Sequence, residues 1–180
     1  MSTQKTRIKI KLTSGEQITV QDLPKNRIKK ALLERVLPQQ VPDAEVLAVC
    51  DRHGSPVLLS SKAPERFGLD LANTLVLTDV VAYSKQHDTL FLIEAVHGFG
   101  SIDSYRYAEL CVWTSYVKCK TAFVSVFASR EKSVAQMSKT EYGTHVWFAD
   151  EPKHSAYLSG SVEASTRFLD ARFAARAAVR

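Results

Sequence analysis

Residues Leu90-Phe91-Leu92-Ile93-Glu94-Ala95-Val96 form an apolar run with a single carboxylate inside it. A second run, Thr78-Asp79-Val80-Val81-Ala82-Tyr83, precedes it across a short polar break. The two read as adjacent strands of one hairpin, roughly Asp79 to Tyr83 and Thr89 to Val96. Burying Glu94 unpaired would cost several kcal/mol, so whatever fold forms must supply it with a partner.

The rest of the chain alternates strand and helix patterns. Arg7 to Leu12 alternates polar and apolar, as a half-buried strand does, and Gln17 to Val20 returns after a turn at Thr13-Ser14-Gly15-Glu16. Pro24 and Asn26 open a helix to about Val36, with Ile28, Leu32, Leu33 and Val36 on its apolar face; Pro38 and Pro42 are expected to end it. Strands are expected at Glu45 to Val49, Pro56 to Leu59, Thr121 to Phe127, Thr144 to Ala149 and Ala156 to Leu158. Thr121 to Phe127 is apolar enough to be buried on both faces. Pro64 to Phe67 is a helical turn, and helices are expected from Ser101 or Asp103 to Val117, from Arg130 to Ser138, and from Ser161 to the end. This order suits an α/β architecture, a mixed β-sheet flanked by helices, in a single domain over 1–180.

Composition excludes several classes. The cysteines are Cys50, Cys111 and Cys119, an odd number with no CxxC pair, which argues against a disulfide framework and a zinc site. No histidine pair has zinc spacing. No apolar run approaches the roughly 20 residues of a membrane helix, so a cytoplasmic protein is expected. A net charge of +5 permits nucleic acid as a partner without demanding it. Trp113 and Trp147 read as core aromatics.

A divalent metal shared by Asp79 and Glu94 would compensate the buried carboxylate. Magnesium takes oxygen ligands and keeps several waters, so one or two carboxylates suffice. Such a pair is the basis of a metal-dependent nuclease core, where a lysine two residues after the second acid acts on the water. That position here is Val96. The alternative is structural: Asp79 capping a turn, and Glu94 paired with an arginine.

From Arg7 to Gly160 the chain resembles the C-terminal domain of the BsuBI/PstI restriction endonuclease family. Leu77-Thr-Asp-Val-Val-Ala-Tyr83 parallels the family's L-P-D-V-V-L-Y, and Thr89-Leu-Phe-Leu-Ile-Glu-Ala-Val96 its W-L-F-L-I-E-A-V. Glu45-Val-Leu-Ala-Val-Cys-Asp51 resembles E-V-L-Y-x-G-D, and Trp147-Phe-Ala-Asp-Glu-Pro152 is the other specific piece. The resemblance implies a restriction-endonuclease-like core of the PD-(D/E)XK superfamily that cleaves double-stranded DNA with Mg2+. The family also carries valine after E-A, so Val96 is expected there.

The resemblance further implies Asp79 and Glu94 as metal ligands, with Glu34 assisting a second metal. It implies Arg106 as a stabiliser of transition-state charge, the alternative being an ion pair with Glu109. Lys25, Asn26, Lys29, His97 and Arg130 are the expected DNA contacts. Departures cluster at the site: Thr78 replaces a proline, Lys25 a histidine and Tyr105 a lysine, and Phe99 stands where the family has a loop histidine. His97 or Lys120 taking over, or weakened catalysis, would follow. A homodimer is expected for palindromic DNA, or a separate specificity subunit in place of the family's N-terminal domain. Arg172, Arg176 and Arg180 line one face of the expected last helix.

Overall fold

The computed structural model describes residues 6–51, 56–61, 63–69 and 77–160. The expected C-terminal helix, with Arg172, Arg176 and Arg180, lies outside the described residues, as does His53.

Strands β1 (Arg7–Lys11) and β2 (Gln17–Gln21) pair antiparallel, with Ile10 opposite Ile18. Ile10, Ile18 and Val20 are buried, as the alternating pattern requires. Helix α1 (Pro24–Ala31) follows, then a π-helical turn at Leu32–Val36, then α2 (Leu37–Gln40). The expected stop at Pro38 is therefore corrected. Proline has no N–H for the carbonyl four residues back. The chain absorbs the loss by widening, so the Leu37 N–H reaches the Leu32 carbonyl instead.

Among the described residues the main sheet has seven strands in the order β4-β3-β5-β6-β7-β8-β9. These are β3 (Ala44–Cys50), β4 (Pro56–Leu59), β5 (Val80–Ser84), β6 (Thr89–Val96), β7 (Lys120–Phe127), β8 (Thr144–Phe148) and β9 (Ser155–Leu158). The pairs β6–β7 and β7–β8 are parallel, and the remaining neighbours are antiparallel. Parallel neighbours need crossovers, which α4 (Ser104–Trp113) and α5 (Arg130–Met137) provide. A short helix, α3 (Ala63–Phe67), precedes β5. The result is the expected mixed sheet flanked by helices.

Alternation along the central strands divides the core. Val80, Ala82, Phe91, Ile93 and Ala95 join Ile28, Leu32, Leu33 and Val36 from the first helical segment. Val81, Tyr83, Leu90 and Leu92 join Ile102 and Leu110 on the α4 side. Asp103 caps α4 by accepting from the Arg106 N–H at 2.8 Å. The helix stops at Trp113, short of the expected Val117. Thr114 turns its hydroxyl back onto the Leu110 carbonyl at 2.7 Å.

No helix among the described residues is long and apolar enough to cross a membrane. All three cysteines are free thiols.

Candidate active site

The hairpin register sets the two acids side by side. Val80 pairs with Ile93, so the next residues outward, Asp79 and Glu94, lie across from each other. Glu94 is 8% exposed and Asp79 6%. The Ala95 N–H donates to Asp79 Oδ2 at 2.9 Å, and the Cys50 N–H donates to the Asp79 carbonyl at 2.9 Å. Asp79 is thereby tied to both neighbouring strands. Thr78, buried, donates its hydroxyl to the Val80 carbonyl at 3.0 Å.

Cations approach the pair from two helices. From α4, Arg106 reaches Glu94 Oε1 with Nε at 3.1 Å and Nη2 at 2.8 Å. Its Nη1 also meets Glu109 at 3.1 Å. Both structural partners expected for Arg106 and Glu94 are therefore real. From α1, Lys25 Nζ lies 2.7 Å from Asp79 Oδ2 and 4.0 Å from Glu94 Oε2. Lys29 Nζ lies 3.4 Å from Asp79 Oδ1 and donates to the carbonyls of Cys50 at 2.5 Å and Asp51 at 3.0 Å.

Burial raises the pKa of Glu94 to about 8; Asp79 adds to the rise, and Arg106 and Lys25 oppose it. Burial likewise raises Cys50 to about 12, with Asp79 reinforcing it, which leaves the thiol inert at neutral pH. Lys29 shifts the other way, down, because burial disfavours its charge more than Asp79 restores it.

The donor set suits a hard divalent cation. Asp79 Oδ2 and Glu94 Oε2 already share one positive charge, the Lys25 ammonium. Both donors are carboxylate oxygens, and magnesium needs no more than one or two of these. Among the described residues no cluster of three or more His, Cys, Asp or Glu adds a further ligand.

The other expected site residues fall in different places. Asn26 and Lys29 do not face outward as DNA contacts: both are buried. Asn26 Nδ2 is spent on the Gln21 carbonyl at 2.9 Å and Asp51 Oδ1 at 2.5 Å. Glu34 is not brought to the pair; it accepts from the Lys11 N–H at 2.9 Å and Lys30 Nζ at 2.5 Å, beside the β1–β2 hairpin. Lys120 begins β7 opposite Thr89, at the far end of β6 from Glu94. That is roughly 17 Å of strand away at ~3.3 Å per residue, which removes it from the centre.

His97 and Arg130 follow the ends of β6 and β7, at the same edge of the sheet as Glu94. His97 is exposed and lines a shallow cleft of about 310 Å³ with Pro24, Arg27, Arg35 and Asp150. Arg130 pairs with Glu151 at 2.7 Å.

The sequence reading missed the inward roles of Lys25 and Lys29. A signal existed: Lys29 stands four residues before Leu33 and seven before Val36, on the apolar stripe itself.

A mixed sheet with two acids at the ends of an antiparallel pair, bracketed by cationic side chains, defines a restriction-endonuclease-like fold. Residues 8–161 match the BsuBI/PstI restriction endonuclease domain, and the chain belongs to that family. It is 24% identical over 157 residues to the type II restriction enzyme BsuBI of Bacillus subtilis, covering 87% of this chain and 50% of that enzyme. The solved SdaI restriction endonuclease superposes with a TM-score of 0.77 at 28% identity, over 86% of this chain and 49% of that one. The chain thus spans about half the length of these relatives.

Proposed function

We propose that this chain carries the catalytic centre of a restriction-type endonuclease that hydrolyses double-stranded DNA with magnesium. The observation that carries the reading is the buried pair Asp79 and Glu94, whose carboxylates share a single cation through Oδ2 and Oε2. When bound, magnesium polarises a phosphate oxygen and lowers the pKa of its water.

The protein's part is placement. Asp79 and Glu94 would hold the ion, and the Ala95 N–H fixes the orientation of Asp79. Arg106 holds Glu94 Oε1 with two N–H groups, so the second oxygen, Oε2, faces Asp79's side of the site. Its charge also favours the ionised carboxylate that a metal requires. Arg106 is then a positioning residue for Glu94, and charge next to the reacting phosphate is its second contribution.

DNA phosphates are met by exposed hydrogen-bond donors at this edge of the sheet: Lys25, His97 and Arg130. Cutting both strands of a symmetric sequence calls for two copies of the centre, in a homodimer or with a specificity subunit as partner. The reaction belongs in the cytoplasm, where its substrate is.

The test is nicking and linearisation of supercoiled plasmid with magnesium, comparing the wild type with Asp79→Ala and Glu94→Ala. Cleavage by the wild type alone is expected. Equal cleavage by all three proteins would remove the assignment.

A further inference from the structure

Among the described residues three side-chain cations contact the acidic pair, and they are not equivalent. Lys29 is 0% exposed and held by two main-chain carbonyls, so it cannot leave. Arg106 is 18% exposed and bound to Glu94, Glu109 and the Leu77 carbonyl. Lys25 is 44% exposed. It stands in the first turn of α1, and its contacts with the centre are made at the end of a flexible four-carbon stem. It is the one cation of the three that touches both acids and also reaches solvent.

Its position bears on a gap in the centre. The residue two after Glu94 is Val96, which is 3% exposed and apolar, so β6 offers no ammonium beside the acids. Helix α1 offers one instead. The Lys25 ammonium is 2.7 Å from Asp79 and 4.0 Å from Glu94, the place a divalent cation must take to be held by both. An ammonium and a divalent ion cannot occupy that place together.

We propose that Lys25 is a mobile cation of this centre: it neutralises Asp79 and Glu94 until a divalent ion displaces it, and then contacts the phosphate being cleaved. The inference rests on the nuclease reading above and adds a residue to it. Lys25 does on α1 what Val96 cannot do on β6. The tethered ammonium also competes with the metal, so it weakens metal binding while it strengthens turnover. An ion pair that only stabilised the fold would compete with the metal but would not raise turnover.

These opposite effects make the test. Metal affinity is measured by calorimetry with Mn2+ on the metal-free protein, and cleavage is measured at saturating metal. Lys25→Met is expected to bind Mn2+ about fivefold more tightly, the value of a partly exposed ion pair. The same variant is expected to cleave about 100-fold more slowly, as when a charge-stabilising group is lost. Lys25→Arg, which keeps the charge, is expected to bind Mn2+ like the wild type, and this also guards against a misfolded Lys25→Met.

Unchanged or weaker Mn2+ binding by Lys25→Met, or undiminished cleavage at saturating metal, overturns the role of Lys25 and leaves the nuclease reading standing. A wild type that binds no Mn2+ and shows no cleavage dependent on Asp79 overturns both.

Discussion

Lys29 and Asp79 form an ion pair in which the lysine has no solvent: Nζ lies 3.4 Å from Oδ1, and the lysine side chain is 0% exposed. The same ammonium donates to the Cys50 and Asp51 carbonyls at the end of β3. One charge therefore ties α1, β3 and the first acid of the site together. A buried charge is tolerated only when hydrogen bonds satisfy it, and here three acceptors do so.

Replacing Lys29 by methionine removes the donor and leaves Asp79 and two carbonyls with fewer partners. Urea unfolding should register a loss of about 3 kcal/mol, the order seen when one member of a buried pair is deleted. A loss below about 0.5 kcal/mol, the scale of a surface pair, would mean that the ammonium is not held inside.

Glu94 makes stability depend on pH in an unusual direction. Burial and Asp79 raise its pKa from 4.5 to about 8. Between those values the folded protein holds a proton that the unfolded chain releases. Stability is therefore complete below 4.5 and is lost as pH rises through about 8, by up to about 1.4 kcal/mol per pH unit. In metal-free buffer, the Tm of Glu94→Gln minus that of the wild type should climb from pH 5 to pH 8.5. A constant difference across that range would contradict the shift.

Arg106 grips one oxygen of Glu94 with a two-pronged contact that lysine cannot copy. Arg106→Ala should lower plasmid cleavage about 100-fold, and Arg106→Lys should recover only part of it. Arg106→Ala should also lose more stability at pH 8.5 than at pH 5, because at pH 5 Glu94 is already protonated and has no charge left for Arg106 to offset. Full activity in Arg106→Lys would show that charge without orientation is enough.

Glu34 is occupied with Lys30 and the Lys11 N–H, beside the β1–β2 hairpin. Glu34→Gln should leave Mn2+ affinity and cleavage within about twofold of the wild type, with at most about 1 kcal/mol lost from a surface pair. Loss of metal binding in this variant would return Glu34 to the centre.

The acidic pair is legible in the sequence. A single acid in the run Leu90 to Val96 cannot be accidental in a buried strand, and hairpin pairing alone places Asp79 beside it. Alternation along β1 and the apolar runs of β5 and β6 likewise announced the sheet, because strand patterning is a local property. Pro38 does not end the helix as expected, since a π-helical turn supplies another route for the hydrogen bonds.

The lysines were a different matter. Lys25, Lys29 and Lys30 crowd one short stretch of the chain, and only the spacing of Lys29 to Leu33 and Val36 hints that one of them turns inward. Their fates were decided when α1 packed against the sheet beside residues more than 50 positions away in the chain. That packing sent Lys29 inward, left Lys30 beside Glu34, and laid Lys25 across both acids. The sequence by itself determined which strands would form and which carboxylates they would carry, because those depend on neighbours in the chain. Which cations would answer those carboxylates depended on neighbours in space, and only the tertiary structure could choose them.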